Sequence, residues 1–470
     1  MLNRDELIEL CRQEPEKMAD LILSLEARIA ELERRTKKNS KNSDKPPSSD
    51  GLKKPPQQSN KSDRKAGGQQ GRQGKTLRYS DQPDRIISHS AENCQECGQN
   101  LAEVEGLMIG HRQEIEIPEK PIEVIEHQRL EKACPNCGQV NQGQWPEHLK
   151  GNVQYGRRFK AFSLYLLIYQ LIPYERTSEL LESLFGYHPG GGTLKRIIRE
   201  AYGALAPLET QFEVAIRGSP VGHADETSIR VAGVTRWLHV VSTLTHTYYY
   251  WSTYRGQQAH HDDGLLPAYT GILMHDAYSS YLLHGYDHAL CNAHLLRELQ
   301  AIVEADPTQS WASQLMTLLR TAWALVKTAK ANDLDALPED LINRIDYLFE
   351  QIVTRASSLH PPNLRLPAQR GRVAQSTERN LIDRLIKYQA AYLQFVFDFR
   401  VPFDNNLAER DLRMAKLQQK IAGSFRTTDG AHHFCRIRGY ISTLRKNAVD
   451  LLPALVSLWS PIPFLPKSAE

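Results

Sequence analysis

Residues 221–253 read VGHADETSIRVAGVTRWLHVVSTLTHTYYYWST, and this stretch determines the fold of the central part of the chain. The segments 221–225, 237–243 and 247–253 are rich in β-branched and aromatic residues and are joined by short turns. Such segments are typical of strands in an antiparallel meander. A fourth apolar segment, 271–275, follows a short helical stretch and predicts a buried strand.

Three meandering strands, a helix and a fourth strand form the opening of a ribonuclease-H-like mixed sheet, so we predict an α/β catalytic core. From about 296 to 400 the spacing of Leu and Ile is helical, which predicts a helical insertion. After the insertion, Asp404-Asn405-Asn406 is expected to cap a helix over residues 407–420.

Two acidic residues close predicted strands: Asp225 ends the first strand, and Asp276 follows the fourth. Carboxylates at neighbouring strand ends lose hydration and repel one another, so a cation normally compensates them. Two Mg²⁺ or Mn²⁺ ions about 4 Å apart would do so. A third acidic ligand is needed, and Glu409, on the helix after the insertion, is the best candidate. Any one of the three, taken alone, is more commonly a surface carboxylate.

The cysteines indicate metal binding. Cys94, Cys97, Cys134 and Cys137 form two Cys-x-x-Cys pairs, which predicts one structural Zn²⁺. Alternating residues in 114–117 and 122–125 predict a β-hairpin between the pairs, and hence a zinc ribbon. The alternative is a set of reduced cysteines or a redox pair.

A further Cys-x-x-His spacing, Cys291 and His294, follows the fourth strand. Two soft ligands can hold an ion or brace the helix that leads into the insertion. With only two such ligands, we favour a packing or supporting role over direct metal binding.

The N-terminal part has two distinct patterns. A heptad-like repeat predicts a short coiled coil and dimerisation, with a single docked amphipathic helix as the alternative. The repeat consists of Met18, Ile22, Leu25, Ile29 and Leu32. Residues 37–80 then contain twelve Lys and Arg against three Asp, a net +9, so the rest of the +3 chain carries −6. This segment is either a polyanion-binding arm or a solvated disordered linker.

Residues 157–207 predict three helices, over 157–171, over 175–185 and from Gly191-Gly192-Thr193 onward, with Thr193 as the N-cap. The third helix has an apolar side and, elsewhere, Lys195, Arg196 and Arg199. These features fit a helix-turn-helix DNA reader and a plain helical connector equally well. Residues 409–446 contain nine more Lys and Arg, among them Arg410, Arg413 and Lys416, either for DNA phosphates or as a solvated face.

Composition limits the class of protein. A chain of 470 residues with 41% hydrophobic and 24% charged residues has room for about three folded units and is neither disordered nor a disulfide miniprotein. The N-terminus has no apolar signal region, and the most apolar window, 161–173, is too short to span a membrane. We therefore expect a protein of the reducing cytoplasm.

The order of these motifs resembles the DDE transposases of the insertion sequence 66 family. The resemblance covers nearly the whole chain, and its order of motifs is specific although each motif alone is weak. The matching segments are KKNSKNS (37–43), the paired Cys-x-x-Cys ribbon, HADET (223–227), HDAY (275–278), CNAH (291–294), DNNLAER (404–410) and GSFRT (423–427).

The resemblance implies that Asp225, Asp276 and Glu409 are the catalytic, metal-binding triad, with two Mg²⁺ or Mn²⁺ ions. It implies DNA partners, namely the terminal inverted repeats of the element and the target DNA, with strand cleavage followed by strand transfer. It also suggests a homo-oligomer and accessory proteins of the same element.

The resulting domain prediction has six parts. They are a coiled coil (1–36), a basic flexible linker (37–83), a zinc ribbon (84–150), a helical, helix-turn-helix-like DNA-binding region (151–215), the catalytic domain (216–446, insertion about 296–400) and a C-terminal tail (447–470). Two other functions remain open at this stage. One is a zinc-ribbon DNA-binding regulator or inactive transposase relic, and the other is a ribonuclease-H-like nuclease that cuts without joining.

Overall fold

The computed structural model describes residues 79–465, except 106, 116, 119–120, 138 and 365–372. The predicted coiled coil and all but the end of the basic linker therefore lie outside the described residues. The described chain divides into two compact units. The smaller comprises 79–145 with 183–186, and the larger comprises 146–182 with 187–465.

The smaller unit contains a short antiparallel pair, β1 (Glu131–Ala133) and β2 (Val140–Gln142), on either side of the second cysteine pair. The predicted hairpin over 114–117 and 122–125 is wrong, because the described residues of these segments form no strand. Ile115 and Ile125 are 71% and 65% exposed. Alternation specifies a strand only where one face can be buried, and these side chains are not buried.

The larger unit is built on a five-stranded mixed sheet in the order β5-β4-β3-β6-β7. The strands are β3 (Val221–Val231), β4 (Val234–Ser242), β5 (Thr247–Ser252), β6 (Ile272–His275) and β7 (Asp287–Leu290). β3, β4 and β5 are antiparallel neighbours, whereas β6 and β7 run parallel to β3. The four predicted strands are present, and β7 is an additional strand that the sequence analysis missed.

The register of β3 and β6 explains why two acids lie at one edge of the sheet. The last pair in this parallel ladder joins His223 to Met274. Asp225 and Asp276 follow this pair at the same offset on their two strands. Since side chains two residues apart lie on the same face of a strand, the register directs both carboxylates to one side. β3 continues to Val231, so Asp225 lies within the strand and not at its end as predicted.

Helices cover the sheet and form the insertion. Before the sheet are α1 (Arg157–Leu164), α2 (Tyr174–Phe185) and α3 (Gly191–Arg217); after β5 comes α4 (Gln257–Asp263). The insertion comprises α5 (Asn292–Ala305), α6 (Ser310–Ala331), α7 (Glu339–Leu359), α8 (Thr377–Lys387) and α9 (Gln389–Phe397). The chain then forms α10 (Asn406–Ala422), α11 (Thr428–Lys446) and α12 (Leu451–Val456).

Part of the helical region 151–215 shares a hydrophobic core with the sheet. The apolar side of α3, including Ile197 and Leu205, shares one core with α11 and with β3, β4 and β5. Leu455 of the predicted C-terminal tail belongs to the same core. α3 begins at Gly191 with Gly190 at the N-cap position and no side-chain cap, so the N-cap prediction for Thr193 is wrong.

The insertion has its own core, which continues onto β6 and β7 through residues such as Met274 and Leu290. In a third, smaller core, residues of α4 such as Ala259 join residues of the sheet such as Val241 of β4. No helix in the part of the chain that the structure describes is both long and apolar enough to cross a membrane.

Candidate active site

Asp225, on β3, is a carboxyl that lies close to three other acidic side chains. Burial raises its pKa well above the ordinary value, and the negative charges of Glu226, Asp276 and Glu409 raise it further. One contact acts in the opposite direction, because Asp225 Oδ1 accepts a hydrogen bond of 2.8 Å from the Glu226 backbone N–H. A crowded group of carboxylates of this kind is a donor set for a hard divalent cation.

Glu226, the next residue, is held in a fixed position. Its carboxylate accepts hydrogen bonds from Tyr281 Oη at 2.6 Å and from Arg255 Nε at 2.9 Å. Burial raises the pKa of Glu226, and so does the charge of Asp276. The Arg255 guanidinium also packs over the ring of Tyr278, 4.3 Å from its centroid. Arg255 therefore places one cation beside the group of acids.

Asp276 directly follows β6, and its Oδ1 accepts a hydrogen bond of 3.0 Å from the Tyr278 backbone N–H. It lines an open cleft of about 200 Å³. The other polar residues of this cleft are Arg255, Tyr278, Cys291, His294, Glu298, Arg384 and Tyr392. The cleft thus combines residues from the sheet with residues from the insertion.

Glu409 lies in the first turn of α10. The start of this helix is fixed by Asn405, whose Nδ2 donates to the Ala224 carbonyl at 2.8 Å. The Glu409 charge acts on Asp225, and its Oε1 lies 3.9 Å from His294 Nδ1. The carboxylates of Asp225, Asp276 and Glu409 do not all lie within 4.8 Å of one another, whereas ligand atoms of Cys291, His294 and Glu409 do.

The predicted DNA-binding residues are exposed on two helices. Lys195, Arg196 and Arg199 lie on α3, and Arg196 pairs with Glu200 at 3.7 Å. Arg410, Arg413 and Lys416 lie on α10, the helix that carries Glu409. Partial burial lowers the pKa of Lys416, while the negative charge of Asp225 opposes that shift. The Lys416 ammonium is therefore close enough to Asp225 for the two charges to interact.

In the smaller unit each cysteine pair forms a compact turn suited to metal binding. Gly98, at φ +71°, donates its backbone N–H to the Cys94 carbonyl at 2.9 Å. Backbone hydrogen bonds lower the pKa of Cys94, first from Cys97 and then from Glu96. The pKa of Cys134 is lowered in the same way, first by Cys137 and then by Asn136.

Thiols that ionise readily are the ligands that Zn²⁺ prefers. The structure does not bring any three of the four sulfurs of Cys94, Cys97, Cys134 and Cys137 within 4.8 Å of one another. Each pair has the turn geometry and the acidic thiol that a Zn²⁺ ligand pair needs. Binding of the metal can itself bring the two pairs together.

Several residues of the site are not predicted by the sequence. Arg255 lies in a loop after β5, and Glu298 and Arg384 come from the insertion, where they form an ion pair. No short motif marks these residues, because their role depends on how distant segments meet. His294, judged a packing residue from the sequence, lines the cleft beside Glu409. The Cys-x-x-His spacing of Cys291 and His294 is the sequence feature that points to a role for His294 in the site.

Comparison with known families agrees with this arrangement. Residues 152–433 match the family described as "Transposase IS66 family", and residues 91–138 match the "zinc-finger binding domain of transposase IS66". Residues 5–78 match a family of unknown function, DUF6444. A curated relative, "Uncharacterized protein y4hP" of Sinorhizobium fredii (strain NBRC 101917 / NGR234), is 23% identical over 409 residues, covering 78% of this chain and 70% of that protein.

The transposase match spans well over half of the chain, including all five strands of the mixed sheet and the insertion. The zinc-finger match includes both cysteine pairs. The resemblance drawn from the sequence motifs is thereby confirmed: the chain belongs to the IS66 transposase family.

Proposed function

We propose that the protein is a DDE transposase, which binds the ends of an insertion sequence and catalyses metal-dependent DNA cleavage and strand transfer on a ribonuclease-H-like fold. The sheet supports the fold assignment, because an antiparallel β5-β4-β3 meander is extended by the parallel strands β6 and β7 on the other side of β3. The long helical insertion lies between β7 and α10, that is, between the second and third acids.

One observation carries the proposal. Asp225, Asp276 and Glu409 are far apart in the sequence, yet the charges of the other two both act on Asp225. Three elements meet to achieve this: β3, the end of β6 and the first turn of α10. Carboxyl groups that converge in this way are commonly neutralised by cations, and such groups are frequent at functional sites.

These carboxylates would hold two Mg²⁺ or Mn²⁺ ions. When bound, such ions would activate the attacking hydroxyl and stabilise the negative charge on the departing oxygen. The ligands of two ions about 4 Å apart must be spread over a larger distance than the ligands of a single ion. The three carboxylates do not all lie within 4.8 Å of one another, which is compatible with that requirement.

The remaining residues of the site bind and orient DNA. Arg410, Arg413 and Lys416 extend along α10 from the acids, where their charges can pair with phosphates. Arg255, held by Glu226, offers a cation at the cleft. Lys195, Arg196 and Arg199 on α3 supply a second basic surface for the terminal repeats. In this proposal the protein acts as a homo-oligomer, with accessory proteins of its element as further partners.

The test uses the full-length protein and a duplex that ends in the terminal inverted repeat of the element. In Mg²⁺, the variants Asp225→Asn, Asp276→Asn and Glu409→Gln should each lose end cleavage by more than about 100-fold, as expected when several kcal/mol of transition-state stabilisation are removed. Binding of the same duplex should persist. Asp287→Asn, an exposed acid on β7 of the same sheet, is the matched control and should cleave normally.

Three outcomes would contradict the proposal. Full cleavage activity in all three variants would show that Asp225, Asp276 and Glu409 are not the catalytic residues. Cleavage by wild-type protein without joining of the released 3′ end to target DNA would identify a nuclease. Specific binding with no cleavage under any metal would identify a DNA-binding regulator or an inactive relic.

A further inference from the structure

The tightest group of metal-binding side chains in the described chain is not the acidic triad. Cys291, His294 and Glu409 each place one ligand atom within 4.8 Å of the other two. Cys291 and His294 belong to the start of α5, and Glu409 to the start of α10. From this convergence we propose a transition-metal site, of the Zn²⁺ class, made by these three residues, which shares only Glu409 with the carboxylate site that includes Asp225.

The distances fit a single ion. With metal bonds of about 2.0–2.3 Å, tetrahedral ligand atoms lie roughly 3.3–3.8 Å apart. His294 Nδ1 and Glu409 Oε1 are 3.9 Å apart, so small side-chain rotations bring all three atoms to bonding distance. Three protein ligands leave a fourth position open, and Cys291 and His294 both line the cleft that contains Asp276.

The ligand chemistry selects the ion. A thiolate, an imidazole and one carboxylate are a borderline-soft set that favours Zn²⁺ or Co²⁺, while Mg²⁺ prefers oxygen ligands alone. Cys291 is at the N-cap position of α5, and His294 lies in the first turn of the same helix, so one helix start presents both ligands. Binding replaces the S–H bond with an S–metal bond and releases one proton to solvent.

The surroundings hold the ligands in place. Cys291 is 2% exposed, and its Sγ accepts a hydrogen bond of 3.3 Å from the Asn405 backbone N–H. Backbone N–H donors of this kind are common partners of metal-bound ligands. Within the described chain, the enclosed Glu409 Oε1 makes no hydrogen bond, so it has a lone pair to give to an ion.

This inference does not depend on DNA chemistry, although Glu409 is common to both sites. An ion held by Cys291 and His294 would bind α5 to α10 and draw Glu409 toward the insertion. The two proposals are separable, because the metal content of the protein is measured without DNA.

The test measures zinc per chain in full-length protein that has been stripped with a chelator, reloaded with Zn²⁺ and desalted. Cys291→Ser, His294→Gln and Glu409→Gln should each contain about one zinc fewer than Cys435→Ser. Cys435 is the matched control, because it is equally a buried cysteine but lies on α11 outside the cluster. Circular dichroism identifies any variant that fails to fold, and the three variants remove ligands from different positions.

Two further measurements distinguish this site from the zinc ribbon and from the carboxylate site. With Co²⁺ as the probe, a chain that carries serine at the four ribbon cysteines should retain a thiolate-to-metal absorption band, which the added Cys291→Ser change abolishes. Asp225→Asn should leave the zinc content unchanged. Zinc contents equal to that of Cys435→Ser in all three ligand variants, or an equal loss in Asp225→Asn, would overturn the proposal.

Discussion

The side chain of Asn405 joins the helix that carries Glu409 to the strand that carries Asp225. Its Nδ2 donates to the Ala224 carbonyl at 2.8 Å, and its Oδ1 lies 3.0 Å from His223 Nδ1. Because the amide oxygen is the acceptor in this arrangement, His223 Nδ1 carries the proton. Burial lowers the pKa of His223 to about 4, so the ring is neutral at pH 7 and keeps this single tautomer.

We therefore expect Asn405→Ala to lower both stability and activity. The change leaves the Ala224 carbonyl and His223 Nδ1 buried without a partner, at a cost of about 1–3 kcal/mol in the free energy of unfolding. It also releases the start of α10, so DNA end cleavage should fall more than the loss of folded protein explains. Urea unfolding and a cleavage assay on the folded fraction measure the two effects.

Asn406→Ala is the matched control for this prediction. Asn406 is the next residue, is exposed, and begins the same helix. Its replacement should change neither quantity appreciably. Equal effects of the two alanine variants would show that Asn405 has no special role in placing Glu409.

A buried ion pair fixes the middle of the same helix. Asp411 Oδ2 accepts hydrogen bonds from Ser242 Oγ at 2.7 Å and Thr247 Oγ1 at 3.1 Å, and it pairs with Lys446 Nζ at 2.9 Å. The side chains of Asp411 and Lys446 are only 15% and 11% exposed. Removal of one partner leaves the other charge buried, so Lys446→Met and Asp411→Asn should each cost about 3–5 kcal/mol in urea unfolding.

The double variant should cost clearly less than the sum of the two single changes, since it leaves no unpaired charge. In the pair Arg400–Asp398 the arginine side chain is 65% exposed, so replacement of both residues should cost less than about 1 kcal/mol in the free energy of unfolding. Additive costs for Asp411 and Lys446 would mean that the two side chains do not stabilise each other.

The sequence predicts the strands of the sheet well, because they are continuous runs of β-branched and aromatic residues. It fails at β7, which has only four residues, DHAL, and is set by its parallel pairing with β6. It also fails at the hairpin around 114–125, where alternation is present but no core covers it. Periodicity reports which side chains can be buried, and the tertiary partner decides whether they are.

The candidate site shows the same limit. Asp225, Asp276 and Glu409 follow from predicted strands, a predicted helix and family motifs, although Asp225 lies within β3 and not at its end. Arg255 and Arg384 do not, because their contact with the cleft depends on the path of a loop and of the insertion. The proximity of His294 to Glu409 joins residues 115 positions apart, and no local pattern encodes such a distance.

The start of β6 depends on a glycine. A Cβ at Gly271 would lie 2.5 Å from the Ser219 carbonyl oxygen and 2.8 Å from that of Pro220. Because these are backbone atoms, Gly271→Ala should displace β6 and cost about 1–3 kcal/mol in thermal or urea unfolding. Asp276, at the end of the same strand, should move with it and lower cleavage.

Gly285→Ala is the matched control for Gly271→Ala. Gly285 precedes the neighbouring strand β7, and a Cβ there meets nothing within 4 Å. This variant should unfold like the wild type. A Gly271→Ala protein with wild-type stability would show that the strand start is more adaptable than the backbone contacts imply.

Asp263, at the end of α4, makes stability depend on pH. Burial raises its pKa to about 7 from an ordinary value of 3.8, although Tyr248 Oη donates a hydrogen bond of 2.9 Å to its Oδ1. Between these two pH values the folded chain binds more protons at Asp263 than the unfolded chain does. The free energy of unfolding should therefore fall as pH rises from about 4 to about 7, by roughly 2–4 kcal/mol, and stay level above that.

Asp263→Asn removes this ionisation and keeps an acceptor for Tyr248, so the decline between pH 4 and pH 7 should become smaller by that amount. Urea unfolding at several pH values gives the free energy of unfolding of the variant and of the wild type. Because both proteins have the same histidines, the histidine contributions cancel in the difference between the two profiles. Asp262→Asn, at the exposed neighbouring position, should follow the wild-type profile. An Asp263→Asn profile parallel to that of the wild type would show that Asp263 stays ionised in the folded protein, with Tyr248 compensating for its burial.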